Sequence, residues 1–354
     1  MSEFRVGFSQ LQSFIAKAMA ALGIPEHDAQ TIGTLMAEAD MQGSDGHGVI
    51  RLVPYAKRIL AGGLNLHPNI QVVQERTAMA LVDGDNGMGH LVMKRATELA
   101  IQKARSAGIA WVGSRMSNHA GPASLYARMA LKHDMIGLYF AVGNANHLPP
   151  WGGLDMLLST NPIAAAIPTL HEAPVVLDMA TTVAAYGKVK AKAQRGEMMP
   201  EGWMIDRQGK PLLDPNKSDE GFLLPIGGYK GYGLSLIVGI LAGTLNGAAM
   251  GSQVIDFNKD FTTTTNTGQA IAVIDPAAFG DIDEFKQNVD RLVRELRGAD
   301  RMPGVDRIWL PGEQSQHKRM EHEKHGVLLA PSLIKQLSEL AAQLKIDPLQ
   351  VPLP

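Results

Sequence analysis

The residues with the most chemistry in them lie early in the chain, in Ser44-Asp45-Gly46-His47-Gly48-Val49-Ile50-Arg51-Leu52. His47 stands between two glycines, with Arg51 one helical turn further on. An imidazole titrates near neutral pH, and a guanidinium offers a planar fork of donors that suits a carboxylate. Together the two types can move a proton on a substrate that carries an acid group. Alone, the string also reads as a structural turn in which Arg51 pairs with Asp45, so the rest of the chain has to decide.

Three further strings carry chemistry. Asn118-His119-Ala120-Gly121-Pro122 puts a second histidine in a loop before a helix. Asp178-Met179-Ala180-Thr181-Thr182 follows an apolar strand, where a ligand at a strand's carboxyl end would meet it, although Asp178 reads equally as an N-cap. Gly227-Gly228-Tyr229-Lys230-Gly231-Tyr232-Gly233 combines exposed backbone N–H groups, a cation and a helix N-terminus, which suits a phosphate or carboxylate. Its plain alternative is a flexible lead into a buried helix. Neither G-x-G-x-x-G nor a phosphate loop ending in Gly-Lys-Ser/Thr occurs, and Gly84-x-x-Gly87-x-Gly89 has the wrong spacing, which argues against a standard Rossmann site. His317, His322 and His325 lie among Lys318, Arg319 and Lys324, so the segment reads as a charged surface stretch and no metal site is assigned.

These strings need elements to hold them. Phe8, Leu11, Phe14, Ile15, Ala18, Met19 and Leu22 fall on one helical face, and Gly23 with Pro25 ends the run. A second helix runs from about Pro25 to near Gly43, which leaves His47 and Arg51 on a short turn before a helix that starts near Pro54. Strands are predicted at Ala78–Val82, Ile109–Gly113, Ile136–Val142, Pro162–Pro168, Val175–Leu177 and Ala270–Ile274. They alternate with helices near 90–107, 121–133, 182–195, 230–247 and 281–297, and Leu333, Leu337, Leu340, Ala341 and Leu344 mark a last helix. The class is α/β or α+β.

Composition narrows the partners. With 33 basic against 35 acidic side chains and no long run of either sign, nothing points to nucleic acid or an anionic membrane surface, so the expected partner is a small molecule. The chain has no cysteine, which excludes disulfides, thiolate metal sites and a cysteine nucleophile. Met1-Ser2-Glu3-Phe4-Arg5-Val6 lacks the pattern of a secretory signal, and a cytoplasmic location is expected. The uncharged run Gly233–Met250, with Gly239, Gly243 and Gly247, is read as a buried helix that another helix or a cofactor approaches closely; a membrane span is the weaker reading. The proline-rich tail Asp347–Pro354 is expected to strap over the surface or a partner subunit.

Taken together, the segments resemble the malate/L-lactate dehydrogenase family of the non-Rossmann type, which also includes ureidoglycolate, sulfolactate and diketogulonate dehydrogenases and a cyclic-imine reductase. The matching strings are Gly46-His47-Gly48-Val49-x-Arg51-Leu52, Asp83-Gly84-Asp85-Asn86-Gly87-x-Gly89, Ser117-Asn118-His119-x-Gly121, Thr160-Asn161-Pro162-x-Ala164, Asp178-Met179-Ala180-Thr181, Pro225-x-Gly227-Gly228-Tyr229-Lys230-Gly231-Tyr232-Gly233-Leu234, Leu310-Pro311-Gly312-Glu313 and Gly326-Val327. The resemblance spans nearly the whole chain in order. It implies a homodimeric oxidoreductase that moves a hydride between NAD or NADP and a small 2-hydroxy or 2-oxo acid. It also implies an α/β fold with a non-Rossmann mixed, largely antiparallel sheet domain for the cofactor (76–180 and 250–299), a helical substrate and dimerisation domain (1–75 and 300–354) and a helical lobe (181–249).

Carried over residue by residue, the resemblance makes His47 the general acid, with His119 a competitor for that role, and Arg51 the clamp for the substrate carboxylate. Tyr55 and Thr160 would help enclose the substrate. Ser117, His119, Gly121, Asp178, Met179, Ala180, Lys230, Gly231, Pro311, Gly312 and Glu313 would contact the dinucleotide; Lys188 matches a frequent position without an assigned role. One departure stands out: many relatives have serine before the catalytic histidine, and this chain has Gly46. Reduction of a cyclic 2-imino acid and a catalytically silent binding protein on the same fold are the alternatives.

Overall fold

The computed structural model describes residues 4–351. Met1–Glu3 of the leader reading and residues 352–354 of the tail lie outside the described residues.

The chain opens with β1 (Phe4–Val6), α1 (Phe8–Ala21), α2 (Glu26–Met41) and α3 (Leu52–Leu60). The periodic residues of α1 form a buried stripe that shares one core with Ala29, Ile32 and Met36 of α2. Gly23, left-handed at φ 98°, closes α1 as its sequence predicts.

The middle of the chain is built on β2 (Gln71–Glu75), β3 (Met79–Asp83), α4 (Gly89–Ala107), β4 (Ile109–Ser117), α5 (Ser124–Ala127) and β5 (Ile136–Ala141). It continues through β6 (Asn146–Leu148), β7 (Leu158–Ser159), β8 (Ile163–Ile167) and β9 (Val175–Met179). After α6 (Tyr186–Arg195), the β10 (Met204–Asp206) and β11 (Gly221–Leu223) pair and α7 (Tyr229–Ala242), the chain returns as β12 (Thr267–Ile274). It ends with α8 (Ile282–Arg297), α9 (Glu313–His325), β13 (Val327–Leu329) and α10 (Pro331–Leu344).

The main sheet runs β2-β3-β4-β12-β5-β8-β9. Only β3 and β4 are parallel, joined by the α4 crossover; every other neighbouring pair is antiparallel. This is the mixed, largely antiparallel sheet the resemblance implies. The late strand β12 occupies the centre, and its residues Thr267–Val273 are all buried, as a strand covered on both faces requires. The six predicted strands all belong to this sheet. β2 went unread because it is an exposed edge with little apolar alternation, and the remaining strands are only two or three residues long.

Several helices differ from their sequence reading. The helix expected over 121–133 is α5 followed by a tighter 3-10 stretch, Arg128–His133, that ends at left-handed Asp134. The uncharged run Gly233–Met250 is interrupted: α7 stops at Ala242, and a turn follows. Gly239 of α7 and Gly243 just after it receive Met250, Asn161 and Val142, so loop residues approach there, not a second helix. No helix among the described residues is long and apolar enough to cross a membrane. The charged stretch holding His317, His322 and His325 is α9, tied to α2 by the Arg319–Glu38 ion pair and by His322 Nδ1 within 3.1 Å of the Asp40 and Met41 carbonyl oxygens. Val189, Met199, Met204, Leu212 and Leu223 form a small core of their own around α6, β10 and β11, whereas α7 packs on the main sheet.

Asp83-Gly84-Asp85-Asn86-Gly87 forms a bracket for the loop after β4. Asp85 and Asn86 are left-handed, and the Gly84 and Asn86 N–H groups donate to the Arg115 and Met116 carbonyls. The buried Asn118 side chain donates in turn to the Asn86 and Gly87 carbonyls. Gly89 closes the bracket, because a Cβ there would lie 2.1 Å from the Asn118 carbonyl oxygen. Gly89→Ala is therefore expected to lower stability by about 1–3 kcal/mol in thermal or urea unfolding. Gly280→Ala, with nothing within 4 Å of the added carbon, is the control that stays near wild type.

Candidate active site

The His47 turn is set by a buried acid. Asp40, in the last turn of α2 and only 2% exposed, accepts the Val49 N–H at 2.8 Å. Gly48 lies against the same carboxyl group, and a Cβ there would come within 1.8 Å of Oδ1, so the turn can close only with glycine. Burial pushes the Asp40 carboxyl up to about 8, against the pull of the Val49 bond and with a smaller push from Asp45. Val49–Arg51 then makes one 3-10 turn that feeds α3, with Pro54 in its first turn, where a missing N–H costs nothing.

This geometry settles the partner of Arg51. Its Nε donates to the Gly46 carbonyl at 2.7 Å, and among the described residues it forms no ion pair, with Asp45 or any other acid. The two outer guanidinium nitrogens have no hydrogen-bond partner among the described residues. Four aromatic rings surround the neighbouring space. His47 and His119 stack with centroids 5.6 Å apart and planes 11° apart. Phe257 stacks on the other ring neighbour, His119, at 5.8 Å, and buried Tyr55 meets both His119 and Phe257. Arg58 of α3, fully buried, donates to the Asp260 and Thr263 carbonyls and so fastens the loop that carries Phe257.

The two histidines are not equivalent. Tyr55 Oη lies 2.6 Å from His119 Nδ1, and the Gly121 N–H points at the same nitrogen from 3.4 Å. A nitrogen that faces an N–H donor is an acceptor, so the network assigns the proton of neutral His119 to Nε2. Burial, then Arg51 and the neighbouring imidazoles, hold His119 well below its ordinary range. His47 is pushed down to about 4 by burial and by the Arg51 charge, and among the described residues its ring nitrogens have no hydrogen-bond partner. His119 is thus a fixed donor, and His47 an imidazole free to take or give a proton.

A second cluster gathers at the carboxyl end of β9. The Asp178 carboxylate accepts the Ser124 N–H at 2.8 Å, which caps α5 and ties β9 to the Gly121 loop; the helix it caps is not the one that follows it. Thr181 donates to the Thr160 carbonyl, and the Ile226 N–H to the Thr181 carbonyl, which brings in Thr160 and the Gly227–Lys230 loop. The Val176 N–H donates to the Pro311 carbonyl at 3.0 Å, which places the Pro311–Gly312 turn beside the same strand. Met179 and Ala180 line this end half-buried, Lys230 is exposed at the start of α7, and Gly231 sits in its first turn against Ile226. An exposed lysine at a helix N-terminus, joined to β9 through the Ile226–Thr181 bond, is an arrangement that suits an anionic group. Two predicted contacts face elsewhere: Ser117 Oγ turns inward to the Asn118 carbonyl, and the Glu313 carboxylate holds Arg297, Arg307 and the Leu310 N–H.

Sequence reasoning missed four members: Asp40, His90, Phe257 and the role of Asn118. None has a local signal: Phe257 lies far along the chain, and Asp40 and buried His90, whose ring meets Tyr55 edge-on, are each one polar residue among several in their helices. Among the described residues no group of His, Asp or Glu is placed to hold a metal ion.

A guanidinium without an acid partner among the described residues thus lies one turn from a buried imidazole, with the β9 loops nearby. The pattern of the malate/L-lactate dehydrogenase family matches residues 6–338. Malate dehydrogenase of Pyrococcus horikoshii is 38% identical over 352 residues, 97% of this chain and 96% of that protein. The structure of that species' enzyme superposes with a TM-score of 0.89 over 98% of this chain and 97% of its own, and sulfolactate dehydrogenase from Methanocaldococcus jannaschii does so at 0.90 with 34% identity, over 98% of each. A pyrroline-2-carboxylate and piperideine-2-carboxylate reductase of Pseudomonas putida is 32% identical over 95% of this chain and 96% of its own length. The chain belongs to the malate/L-lactate dehydrogenase family, and it is a dehydrogenase.

The buried acid makes the scaffold itself sensitive to pH. Because the folded pKa of Asp40 lies above its unfolded value near 3.8, the folded state holds the extra proton between about pH 4 and pH 8. Its contribution to stability is complete below that window and is lost as pH rises through it. Asp40→Asn keeps an acceptor for the Val49 N–H and removes the titration, so the variant is expected to lose less stability than wild type between pH 4 and pH 8. Melting temperature measured across pH checks this; parallel curves would contradict it.

Proposed function

We propose that the enzyme moves a hydride reversibly between nicotinamide C4 of NAD or NADP and C2 of a small 2-hydroxy or 2-oxo acid. The observation that carries the reading is Arg51, a guanidinium with two free nitrogens and no acid partner, one turn from His47. The substrate carboxylate takes that fork, and His47 gives its proton to the carbonyl oxygen in reduction or accepts it in oxidation. A bound nicotinamide supplies or receives the hydride. Tyr55 and Thr160 wall the substrate, and His119 offers Nε2–H as a fixed donor. The β9 end, with Gly121, Asp178, Met179, Ala180, Lys230, Gly231, Pro311 and Gly312, holds the dinucleotide; Ser117 and Glu313 support it from behind.

The charge arrangement gives His47 its timing. In the free enzyme it is neutral, which suits a base for oxidation. A carboxylate on Arg51 offsets the cation that depresses His47 and so favours the protonated form that reduction needs. The chain's division into a substrate and dimerisation part (1–75 with 300–354), a cofactor part (76–180 with 250–299) and a lobe (181–249) follows this assignment. A cytoplasmic homodimer is part of the same reading, supported by exposed Ile237, Ile240 and Leu245 on and after α7. A second substrate class, cyclic 2-imino acids, is favoured by the Pseudomonas relative and by Gly46, beside which nothing lies within 4 Å of an added Cβ. Assays with NADH and NADPH against 2-oxo acids and cyclic imines, following the reduced cofactor, decide both questions.

His47→Ala should lower kcat/KM by about 10²–10⁴-fold while leaving dinucleotide affinity, read by fluorescence, nearly unchanged. If His119→Ala alone produced that loss, the roles would be reversed. In oxidation the neutral form of His47 is needed, so kcat/KM should be flat near neutrality and fall as pH drops through about 4. Arg51→Gln removes a charge that pushes His47 down; it should move this acid limb to higher pH and raise KM for the acid by about 10²-fold or more.

A further inference from the structure

A third imidazole lies under the two described above. His90, at the start of α4, is 0% exposed, and neither ring nitrogen has a hydrogen-bond partner. Its ring meets Tyr55 in a T-shaped contact, with centroids 5.8 Å apart and planes at 85°. On its other side it supports the Gly121 turn: Gly121 is left-handed at φ 79°, and the heavy atom nearest to an added Cβ is His90 Nε2, at 3.1 Å. Tyr55 and Gly121 are the two residues whose donors reach His119 Nδ1.

We propose that His90 is a positioning residue, whose ring holds the Tyr55 phenol and the Gly121 turn against His119 and so fixes which nitrogen of His119 faces the cleft. The inference rests on the dehydrogenase reading only for its kinetic consequence. Neither ring nitrogen contributes a hydrogen bond, so the ring acts through its shape and its faces. A T-shaped pair sets ring orientation, because the positive edge of one ring seeks the negative face of the other. His90 must also stay uncharged beside His47, and burial holds its pKa down to about 3.

The test compares His90→Leu, which removes the ring, with His90→Phe, which keeps it. Nitrogen-15 NMR of His119 in the ligand-free protein should show a protonated Nε2 and an acceptor Nδ1 in wild type and in His90→Phe, and a mixture of tautomers in His90→Leu. With substrate, His90→Leu should lower kcat about tenfold with KM changed less than about threefold, and His90→Phe should restore most of the loss. Adding Tyr55→Phe to His90→Leu should cost little more than either alone. Should His90→Leu not fold, His90→Gln supplies the ringless arm. An unchanged His119 tautomer in the ringless variant, or additive losses in the double variant, would overturn the proposal. The NMR result needs no turnover, so it fails or succeeds independently of the dehydrogenase assignment.

Discussion

The site depends on one positive charge without a partner. Arg51 is oriented by a neutral carbonyl, that of Gly46, and among the described residues no acid pairs with it. Burial first, and then that charge, push His47 and His119 below the ordinary imidazole range, and the two rings stack 5.6 Å apart. An uncompensated cation is a cost to the fold, and a small anionic ligand relieves it. In the proposed reaction, recognition of the acid and readiness for proton transfer come from the same group.

Two separate frames bring the two histidines together. From the helical side, the Asp40 carboxyl pins the Val49 N–H and leaves room only for Gly48, which sets the His47 turn. From the sheet side, Asn118 is held by the Asn86 bracket, by Thr265 and by Gln269 of the central strand, which sets His119. Tyr55 of α3 bridges the frames through its bond to His119. The β9 end is assembled from loops by backbone hydrogen bonds, and the Gly121 loop touches both His119 and, through Ser124, Asp178.

Much of this was legible in the sequence where a signal is local. The His47–Arg51 spacing, the six main strands and the Asp178 position are set by short-range pattern, and the structure shows them in place. The Gly84–Gly89 string has the glycines of a ligand loop, yet its work is to receive Asn118, a contact between segments that no spacing rule encodes. The Tyr55–His119 bond and the Phe257 stack join residues far apart in the chain, so only the fold reveals them. The alternatives left open for Arg51 and Asp178 turned on partners: a carbonyl took the first and another helix the second. The edge strand β2 and the interrupted α7 show the limits of periodicity, since one has little apolar alternation and the other is apolar nearly all round.

The coupling between Arg51 and His47 can be read directly. In nitrogen-15 NMR titrations of the free enzyme, His47 should titrate near 4 without substrate. Saturation with oxamate, a carboxylate that resembles a 2-oxo acid, should raise that pKa by about one unit or more, and Arg51→Gln should abolish the rise. A His47 that titrates in the ordinary imidazole range in the absence of ligand, or one that ignores the bound carboxylate, would contradict the account.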